Sequence, residues 1–247
     1  MLAIIGGTGL NQFHQGEASD LRSTPYGETS AAVIQSSIAG KQVCFLARHG
    51  SPHTIPPHKI NYRANLWALQ QLGVTQVLAV NAVGGINASM PAGALVVPDQ
   101  LVDYSYGREH TFYDGVAVGG SEASLEHIDF SYPFSESLRG VLLATAQQCG
   151  LAVSQSGVYA VSQGPRLETA AEINRFENDG CDIVGMTAMP EAALARELGL
   201  EYASLCLVVN PAAGRSAALI TMDDIHRVID AGMESVRQLL AATIAQL

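Results

Sequence analysis

The chain has 247 residues, of which 48% are hydrophobic and 15% are charged, and it contains 24 glycines. This balance excludes a disordered chain and allows a substantial core. The formal net charge of -10 argues against a broad basic face, so no nucleic-acid partner is expected. The N-terminus lacks the regions of a signal peptide, and no apolar run approaches the ~20 residues of a membrane span, which predicts a cytoplasmic protein without a membrane partner.

Predicted strands and helices alternate along the chain. Short β-branched and apolar runs predict buried strands at residues 2–5, 43–46, 77–80, 94–97, 158–161, 183–186 and 203–209. Helical patterns occupy residues 62–72, 136–148, 170–177, 190–198 and 222–246. The alternation predicts an α/β fold in which helices flank a central, largely parallel or mixed β-sheet. No repeat, linker or composition shift divides the chain, so we expect a single domain over residues 1–247.

The loops and the cysteines add two further expectations. Residues 104–134 are rich in glycine and polar residues and have weak periodicity, which predicts a long excursion of the kind that often carries function. The four cysteines lie far apart, lack CxxC spacing and mostly sit in apolar runs. We interpret them as reduced core residues and expect no metal site.

Three predicted strand ends carry residues suited to an anion. The segment GGTG at residues 6–9 offers backbone N–H groups and the hydroxyl of Thr8. Arg48 and His49 follow the second strand, and a guanidinium can bind phosphate bidentately. The glycine-rich segment NAVGG at residues 81–85 follows the third. A tight turn without a ligand would also explain GGTG, and a surface arginine paired with a carboxylate would also explain Arg48. Together the three strand ends favour one shared pocket.

Two later segments offer side chains for a ring and its polar edge. Glu168, within QGPRLET at residues 163–169, lies near the start of a predicted helix, where it could also complement the helix dipole. Thr187 stands between two methionines in GMTAMPE at residues 185–191. That arrangement suits an apolar ring beside a hydroxyl, although core packing explains the methionines equally well.

Taken in order, GGTG, ARHG, NAVGG, FYDG, QGPRLET and GMTAMPE resemble the trimeric purine nucleoside phosphorylase and methylthioadenosine phosphorylase family over nearly the whole chain. The resemblance implies an α/β phosphorylase fold and a homotrimer. It also implies reversible cleavage of an N-glycosidic bond by inorganic phosphate, which is a co-substrate, with no other cofactor and no metal.

The resemblance assigns roles to individual positions. The residues matching the family's phosphate-binding positions are Thr8, Arg48, His49, Ala82 through its backbone N–H, and Thr187. Met186 matches a ribose contact, and His53 lies where the family places a polar group on the sugar or phosphate side. His127 and Phe134 resemble residues that reach into the neighbouring subunit's active site, so the sites would lie near subunit interfaces.

The purine side departs from the family members that act on 6-aminopurines. Those resemble one another in a pair of aspartates, and here Asn210 and Ala212 occupy the two positions. An Asn210 amide can donate to N7 or O6 of a 6-oxopurine, and the Glu168 carboxylate can accept its N1–H. Both are therefore candidate catalytic residues together with His53. Leu167 stands where the family usually has a phenylalanine against the purine.

The 5′ side of the nucleoside points to an apolar group. Members acting on inosine and guanosine place a histidine near the 5′-hydroxyl, whereas Ile225 aligns there with Met222 one turn earlier. The neighbouring His226 would restore a polar contact if the alignment slipped by one residue, and core packing also explains the apolar pair. We expect phosphorolysis of 5′-methylthioinosine to hypoxanthine and 5-methylthioribose 1-phosphate. A methylthioadenosine phosphorylase, an inosine/guanosine phosphorylase, a nucleosidase and a binding module without activity are the alternatives.

Overall fold

The computed structural model describes residues 1–7, 10, 16–19, 22–115 and 125–247. Within them, the strands are β1 Leu2–Gly6, β2 Glu17–Ala18, β3 Ser23–Thr24, β4 Gly27–Glu28, β5 Ile34–Ile38, β6 Lys41–Ala47, β7 Gln76–Gly85, β8 Leu95–Val96, β9 Gln100–Asp103, β10 Val153–Ser154, β11 Val158–Val161, β12 Ile183–Gly185 and β13 Glu201–Pro211. The helices are α1 Tyr62–Gln71, α2 Glu136–Gln148, α3 Ala170–Asn178, α4 Ala188–Glu197 and α5 Met222–Gln246.

A mixed sheet runs through the described chain and confirms the predicted α/β fold. Its order is β10-β8-β13-β7-β1-β6-β5-β2, and β12, β11 and β9 continue from the far end of β7. The four central strands β13, β7, β1 and β6 are parallel to one another. The outer pairs β8 with β13, β5 with β6 and β12 with β7 are antiparallel. The strands β5 and β9 were not predicted, because half-exposed residues interrupt their apolar pattern.

Helices cover both faces of the sheet, as expected for strands that are apolar along their whole length. All five residues of β1 are buried, and alternate ones pack into opposite layers of the core. The helices α1 and α4 pack on one face, and α2 and α5 pack on the other. This two-layer burial fixes the sheet and therefore the strand ends that carry the motifs.

Local capping explains where the helices begin. The Ser135 side chain accepts a hydrogen bond from the third residue of α2, and Thr169 forms a capping box with Glu172 at the start of α3. In α4 the residue Met189 has extended dihedral angles, so the regular helix begins at Pro190, as the sequence predicted. Helices over 136–148 and 222–246 and the strand over 158–161 match their predicted bounds.

The segment NAVGG, predicted to follow the third strand at its end, lies within it and forms the second half of β7. β13 pairs with it in parallel as far as Gly85, with an irregularity between Val208 and Asn210. Close packing requires glycine here, because a Cβ on Gly85 would lie 2.3 Å from the carbonyl oxygen of Met90. The strand therefore continues past the predicted end and carries Ala82 on its edge.

The long excursion, the cysteines and the helices can also be compared with the sequence-based predictions. The described parts of the long excursion, residues 104–115 and 125–134, contain neither helix nor strand. Cys44, Cys149, Cys181 and Cys206 are free thiols, and all but Cys149 are buried. None of the helices in the described ranges combines the length and the apolar character needed to cross a bilayer. That residues 1–247 form a single domain stays a prediction.

Candidate active site

A cavity of about 720 Å³ opens where the central parallel strands end. Most of the residues predicted from the sequence line it: Arg48, His49, His53, Ala82, Leu167, Glu168, Met186, Thr187, Asn210, Met222 and Ile225. Thr8 lies outside the residues that the structure describes, whereas its neighbour Gly7 lines the cavity. The motifs that are scattered through the sequence thus meet in one place.

An open edge of β7 forms one wall of the cavity. β1 pairs with β7 only as far as Ala79, although β7 continues to Gly85. The Val80 carbonyl on this edge accepts a hydrogen bond from Nη1 of Arg48 at 3.0 Å. Because N–H and C=O groups of alternate residues point to the same edge of a strand, the Ala82 N–H lies on the Arg48 side. The backbone therefore supplies a donor where the anion residues converge.

Arg48 is buried and bound differently from the prediction. Its Nε and Nη2 atoms donate to the two carboxylate oxygens of Glu191, both at 2.7 Å. Nη1 donates to Val80, and Nη2 also donates to the Ile5 carbonyl at 3.4 Å. The expectation of a bidentate grip on phosphate is wrong, because Glu191 occupies the forked edge of the guanidinium. Of the five N–H groups, one on Nη1 is left without a partner among the described residues.

Thr187 lies just before α4 and is held by a series of buried polar side chains. Its Oγ1 accepts a hydrogen bond from Nδ2 of Asn81 at 2.7 Å. Oδ1 of Asn81 accepts from Oγ of Ser204 at 2.8 Å, and this Oγ lies 3.3 Å from Sγ of Cys206. Asn81 is 2% exposed and Ser204 is fully buried, so water does not compete for these bonds.

His49 and His53 stack with ring centroids 4.3 Å apart. Nδ1 of His49 lies 2.9 Å from the Ile55 carbonyl, which can only accept, so Nδ1 carries the hydrogen. Burial, and after it the nearby charge of Arg48, lowers the pKa of His49 to about 4. Burial also lowers the pKa of His53. At neutral pH the imidazole of His49 is therefore uncharged, and its Nε2 has an accepting lone pair.

The two predicted purine readers line the cavity from different strand ends. Glu168 follows β11, and its Oε1 accepts a hydrogen bond from the Ser162 hydroxyl at 2.5 Å, which orients the carboxylate. Asn210 lies at the irregularity of β13, where its Nδ2 donates to the Pro211 carbonyl at 2.7 Å. Each group keeps a further polar valence for a ligand. Leu167 beside them is 42% exposed. It is therefore an apolar contact at the mouth of the cavity and not a buried surface on which a ring could stack.

The start of α5 contributes an apolar wall. Ile225 is 8% exposed and lines the cavity, and Met222 one turn earlier is 59% exposed at its rim. Further apolar residues extend the wall: Leu207, Val209, Ile229 and Met233. His226 also lines the cavity, on the exposed side of the helix. Ile225 and His226 therefore both border the cavity, and the alignment of Ile225 with the 5′ position stays a prediction.

Phe134 and His127 do not line this cavity. Phe134 is 2% exposed, and its ring lies 6.1 Å from that of Tyr202 in the core of its own chain. A side chain buried in this way does not reach into another subunit, so that expectation for Phe134 is wrong. His127 is exposed, and its contact with a neighbouring subunit stays a prediction. A second cavity of about 780 Å³ borders Phe134 but contains none of the phosphate or purine residues.

Several residues of the site were missed from the sequence. Glu191 ends the GMTAMPE segment and is the one charged residue on the buried side of its helix turn, a signal that a partner cation was needed. Asn81 and Ser204 sit in apolar strands, where a buried amide and hydroxyl likewise indicate a polar contact. No local pattern tells which distant residues supply those contacts.

Arg108, in the long excursion, joins two of the strand ends that form the site. Its Nη1 donates to the carbonyls of Met186 and Met189 at 2.8 and 2.6 Å. Nη2 donates to the carbonyls of Ser162 and Gln163 at 3.2 and 2.9 Å, and Nε donates to the Gln163 side chain. The excursion thus positions the backbone on either side of Thr187 and the backbone that precedes Glu168.

The chemistry of the cavity is that of an anion site beside a polar-edged apolar pocket. Backbone N–H groups, a threonine hydroxyl and a neutral histidine are groups that can bind an anion, and an amide and a carboxylate can form hydrogen bonds with the edge of a heterocycle. No cluster of metal-ligating side chains occurs among the described residues. The profile of the phosphorylase superfamily matches residues 1–245, and the chain belongs to that family.

Individual relatives agree with this assignment. A probable S-methyl-5′-thioinosine phosphorylase from Pseudomonas syringae pv. tomato is 55% identical, over 98% of both chains. A 6-oxopurine nucleoside phosphorylase from Pyrococcus furiosus is 41% identical, over 98% of this chain and 91% of the relative. Among solved structures, methylthioadenosine phosphorylase from Schistosoma mansoni in complex with adenine superposes with a TM-score of 0.91 at 32% identity, covering 99% of this chain and 91% of the other.

Proposed function

We propose that the protein catalyses the phosphorolysis of S-methyl-5′-thioinosine to hypoxanthine and 5-methylthioribose 1-phosphate, as a purine-salvage pentosyltransferase. The observation that carries this proposal is the lining of a single cavity by three kinds of surface: an anion site, a polar edge made by Glu168 and Asn210, and an apolar wall at the start of α5. The names of the relatives from Pseudomonas syringae and Pyrococcus furiosus support the same substrate class.

The anion end suits hydrogen phosphate. Since Glu191 neutralises Arg48, the anion meets mainly directed donors: the Ala82 N–H, the Thr187 hydroxyl and one Nη1 N–H of Arg48. The Nε2 lone pair of neutral His49 can accept a hydrogen bond from the P–OH group of hydrogen phosphate. A phosphate oxygen that carries no hydrogen could not form this bond. Phosphate held in this way is positioned to attack C1′ as the glycosidic bond breaks.

The base end meets the charge that develops on the departing purine. The Asn210 amide donates to N7 or O6 and so stabilises the negative charge, and Glu168 accepts the N1–H that only a 6-oxopurine carries. Adenine presents an N1 acceptor to the Glu168 carboxylate, and a mismatch of this kind costs ~1–3 kcal/mol. His53 and Met186 line the cavity between the two ends and would contact the sugar.

The wall of Met222, Ile225 and their neighbours suits a 5′-methylthio group. A 5′-hydroxyl packed there would lose its water partners, whereas each methylene-sized group buried contributes ~0.8 kcal/mol. His226 also lines the cavity, and it would bind a 5′-hydroxyl if the protein were instead an inosine/guanosine phosphorylase.

We also propose a cytoplasmic homotrimer in which His127 of one subunit completes the cavity of the next. Inorganic phosphate and the nucleoside would be the small-molecule partners, without a metal or other cofactor. The exposure of His127 and its place in the long excursion support this arrangement.

The deciding experiment compares S-methyl-5′-thioinosine, methylthioadenosine and inosine, each with and without inorganic phosphate, and quantifies the released bases. We expect phosphate-dependent cleavage with a preference for S-methyl-5′-thioinosine. Base release that is unchanged without phosphate would identify a nucleosidase. Preference for methylthioadenosine would contradict the roles of Glu168 and Asn210, and preference for inosine would contradict the apolar wall and direct attention to His226.

A further inference from the structure

The buried polar chain formed by Cys206, Ser204, Asn81 and Thr187 ends at the cavity, and only its last two members line it. Ser204 lies on β13, Asn81 on the adjacent β7 and Thr187 at the entrance of α4. Three separate elements therefore contribute to a single series of hydrogen bonds. Buried polar side chains are costly unless they are hydrogen-bonded, so each member of this series depends on its neighbours.

Such a chain can run in two directions, because hydroxyls and the amide both donate and accept. With the amide nitrogen toward Thr187, as in the structure, Oγ1 of Thr187 accepts, so the hydroxyl hydrogen does not point back to Asn81 and can turn toward an anion. With the amide reversed, Thr187 would donate to Asn81 and present only lone pairs. Phosphate oxygens are predominantly acceptors, so only the first direction makes Thr187 a phosphate-binding residue.

The far end of the chain favours that same direction. Ser204 donates to Oδ1 of Asn81, which fixes the amide, and Cys206 lies within reach of the Ser204 oxygen. Burial raises the pKa of Cys206 to about 12, so the thiol keeps its hydrogen and can donate it to Ser204. The donors then point consistently from Cys206 toward the cavity.

We propose that Ser204 is a positioning residue for phosphate: by donating to Asn81 it holds the amide that turns the Thr187 hydroxyl hydrogen toward the anion. The proposal rests on the proposed function, because phosphate is the ligand that the oriented hydroxyl serves. Ser204 is fully buried and does not line the cavity, so its effect passes through Asn81. Without its hydroxyl the amide can adopt either orientation.

The test is a double-mutant cycle on KM for inorganic phosphate and KM for the nucleoside. Ser204→Ala should raise KM for phosphate ~5–10-fold and leave KM for the nucleoside within about twofold. In a Thr187→Ala background the same change should alter KM for phosphate less than about twofold, because the hydroxyl that Ser204 orients is gone. Equal effects in the two backgrounds, or an unchanged KM in the single variant, would overturn the proposal.

Matched variants separate positioning from folding. Ser204→Thr keeps the hydroxyl and should restore KM for phosphate, whereas Ser204→Cys keeps the volume with a weaker donor and replaces Ser204→Ala if that variant does not fold. Thr145→Val removes another fully buried hydroxyl, one that bonds Val141 within α2, and should leave KM for phosphate unchanged. If cleavage by the wild type does not depend on phosphate, both the proposed function and this inference are wrong. If cleavage depends on phosphate and Ser204→Ala has the same KM for phosphate as the wild type, only this inference is wrong.

Discussion

Single residues of the site owe their properties to burial. Arg48 meets Glu191 in the interior, so the guanidinium brings orientation rather than net positive charge to the cavity. His49 is kept neutral by its surroundings and is fixed by the Ile55 carbonyl. Asn210, at the irregularity of β13, is only partly buried, and its amide borders the cavity. Asn210 and His49 can each be altered with a distinct expected result.

Asn210→Asp tests base recognition. An ionised aspartate cannot donate to N7 or O6 of a 6-oxopurine, but it can accept from the 6-amino group of adenine. The preference for S-methyl-5′-thioinosine over methylthioadenosine, as the ratio of kcat/KM values, should fall ~10–100-fold. Ala212 is unsuitable for a second aspartate, because it is 2% exposed and would bury the charge.

The control for this change is Asn178→Asp at the exposed end of α3, which should leave the ratio unchanged. An unaltered base preference in folded Asn210→Asp protein would refute the role of the amide.

His49→Gln tests the neutral histidine through stability. The folded-state pKa of His49 is about 4, against an ordinary value of 6.5, so the unfolded chain binds the extra proton between these pH values. The contribution of neutral His49 to the free energy of unfolding is therefore fully present above about pH 6.5 and is lost as the pH drops toward 4. Urea unfolding near pH 7 and pH 5 should show a smaller loss in His49→Gln than in the wild type. The lowered pKa of His53 keeps part of the dependence in both proteins, and identical losses would contradict the assignment.

At the scale of elements, a few buried polar contacts lock helices and loops to the sheet. Glu191 of α4 accepts hydrogen bonds from Arg48, which follows β6, and from the Tyr202 hydroxyl of β13, the latter at 2.9 Å. Arg108 in the excursion holds the backbone after β11 and β12. These contacts position the segments that carry Thr187 and Glu168.

Glu191→Gln should destabilise the fold strongly. It leaves the Arg48 charge buried without its counterion, for which ~3–5 kcal/mol is typical. Tyr202→Phe removes one hydrogen bond to the same carboxylate and should cost ~1 kcal/mol. The comparison is Glu234→Gln, which breaks an exposed pair with Arg237 on α5 and should cost at most ~1 kcal/mol. Urea unfolding measures all three, and a similar cost for Glu191→Gln and Glu234→Gln would refute the buried-pair interpretation.

Arg108→Lys should weaken the contacts that hold the two strand ends together without changing the residues that line the cavity. A lysine ammonium has three donors from one atom and cannot span carbonyls on two segments. We expect kcat/KM for the nucleoside to fall ~10-fold while the protein stays folded. Arg175→Lys, at an exposed position of α3, is the matched control. Equal kinetics in the two variants would mean that Arg108 has no positioning role.

At the scale of the whole molecule, the long excursion contacts the segments that carry Thr187 and Glu168 through Arg108, and the predicted trimer would bring a second chain to the cavity. The chain mass is 26.0 kDa, so sedimentation of a trimer should give about three times this value. The second cavity, next to Phe134, lies on a different part of the chain and carries no motif residue except Phe134 itself.

Mixed oligomers of His127→Ala and Asn210→Ala test whether a site is shared between subunits. Each variant alone should have low activity, because every cavity lacks one group. In a co-assembled mixture, about a quarter of the cavities would combine an intact lining from one chain with His127 from its neighbour, and activity should reappear to that extent. Full activity of His127→Ala alone, or no recovery on mixing, would contradict the shared site.

The sequence by itself determined the order and type of the main elements and most of the lining of the cavity. Apolar periodicity and helix caps are local, so α2, α5 and β11 have the predicted bounds. Arg48, His49 and Glu168 were identifiable because their types suit a phosphate or a polar edge, whereas the roles of Asn210 and Ile225 followed from the family resemblance. Their convergence at the strand ends follows from the parallel sheet, which the alternating pattern already indicated.

Only the tertiary structure decided which polar groups meet. Glu191, the partner of Arg48, lies 143 residues away along the chain, and Ser204 lies 123 residues from Asn81, so no local pattern could pair them. The same holds for the burial of Phe134 against Tyr202 and for the extension of β7 through its glycines, which depends on β13 alongside. Sequence patterns encode what each segment prefers; packing decides which of those segments become neighbours and which donors are left for a ligand.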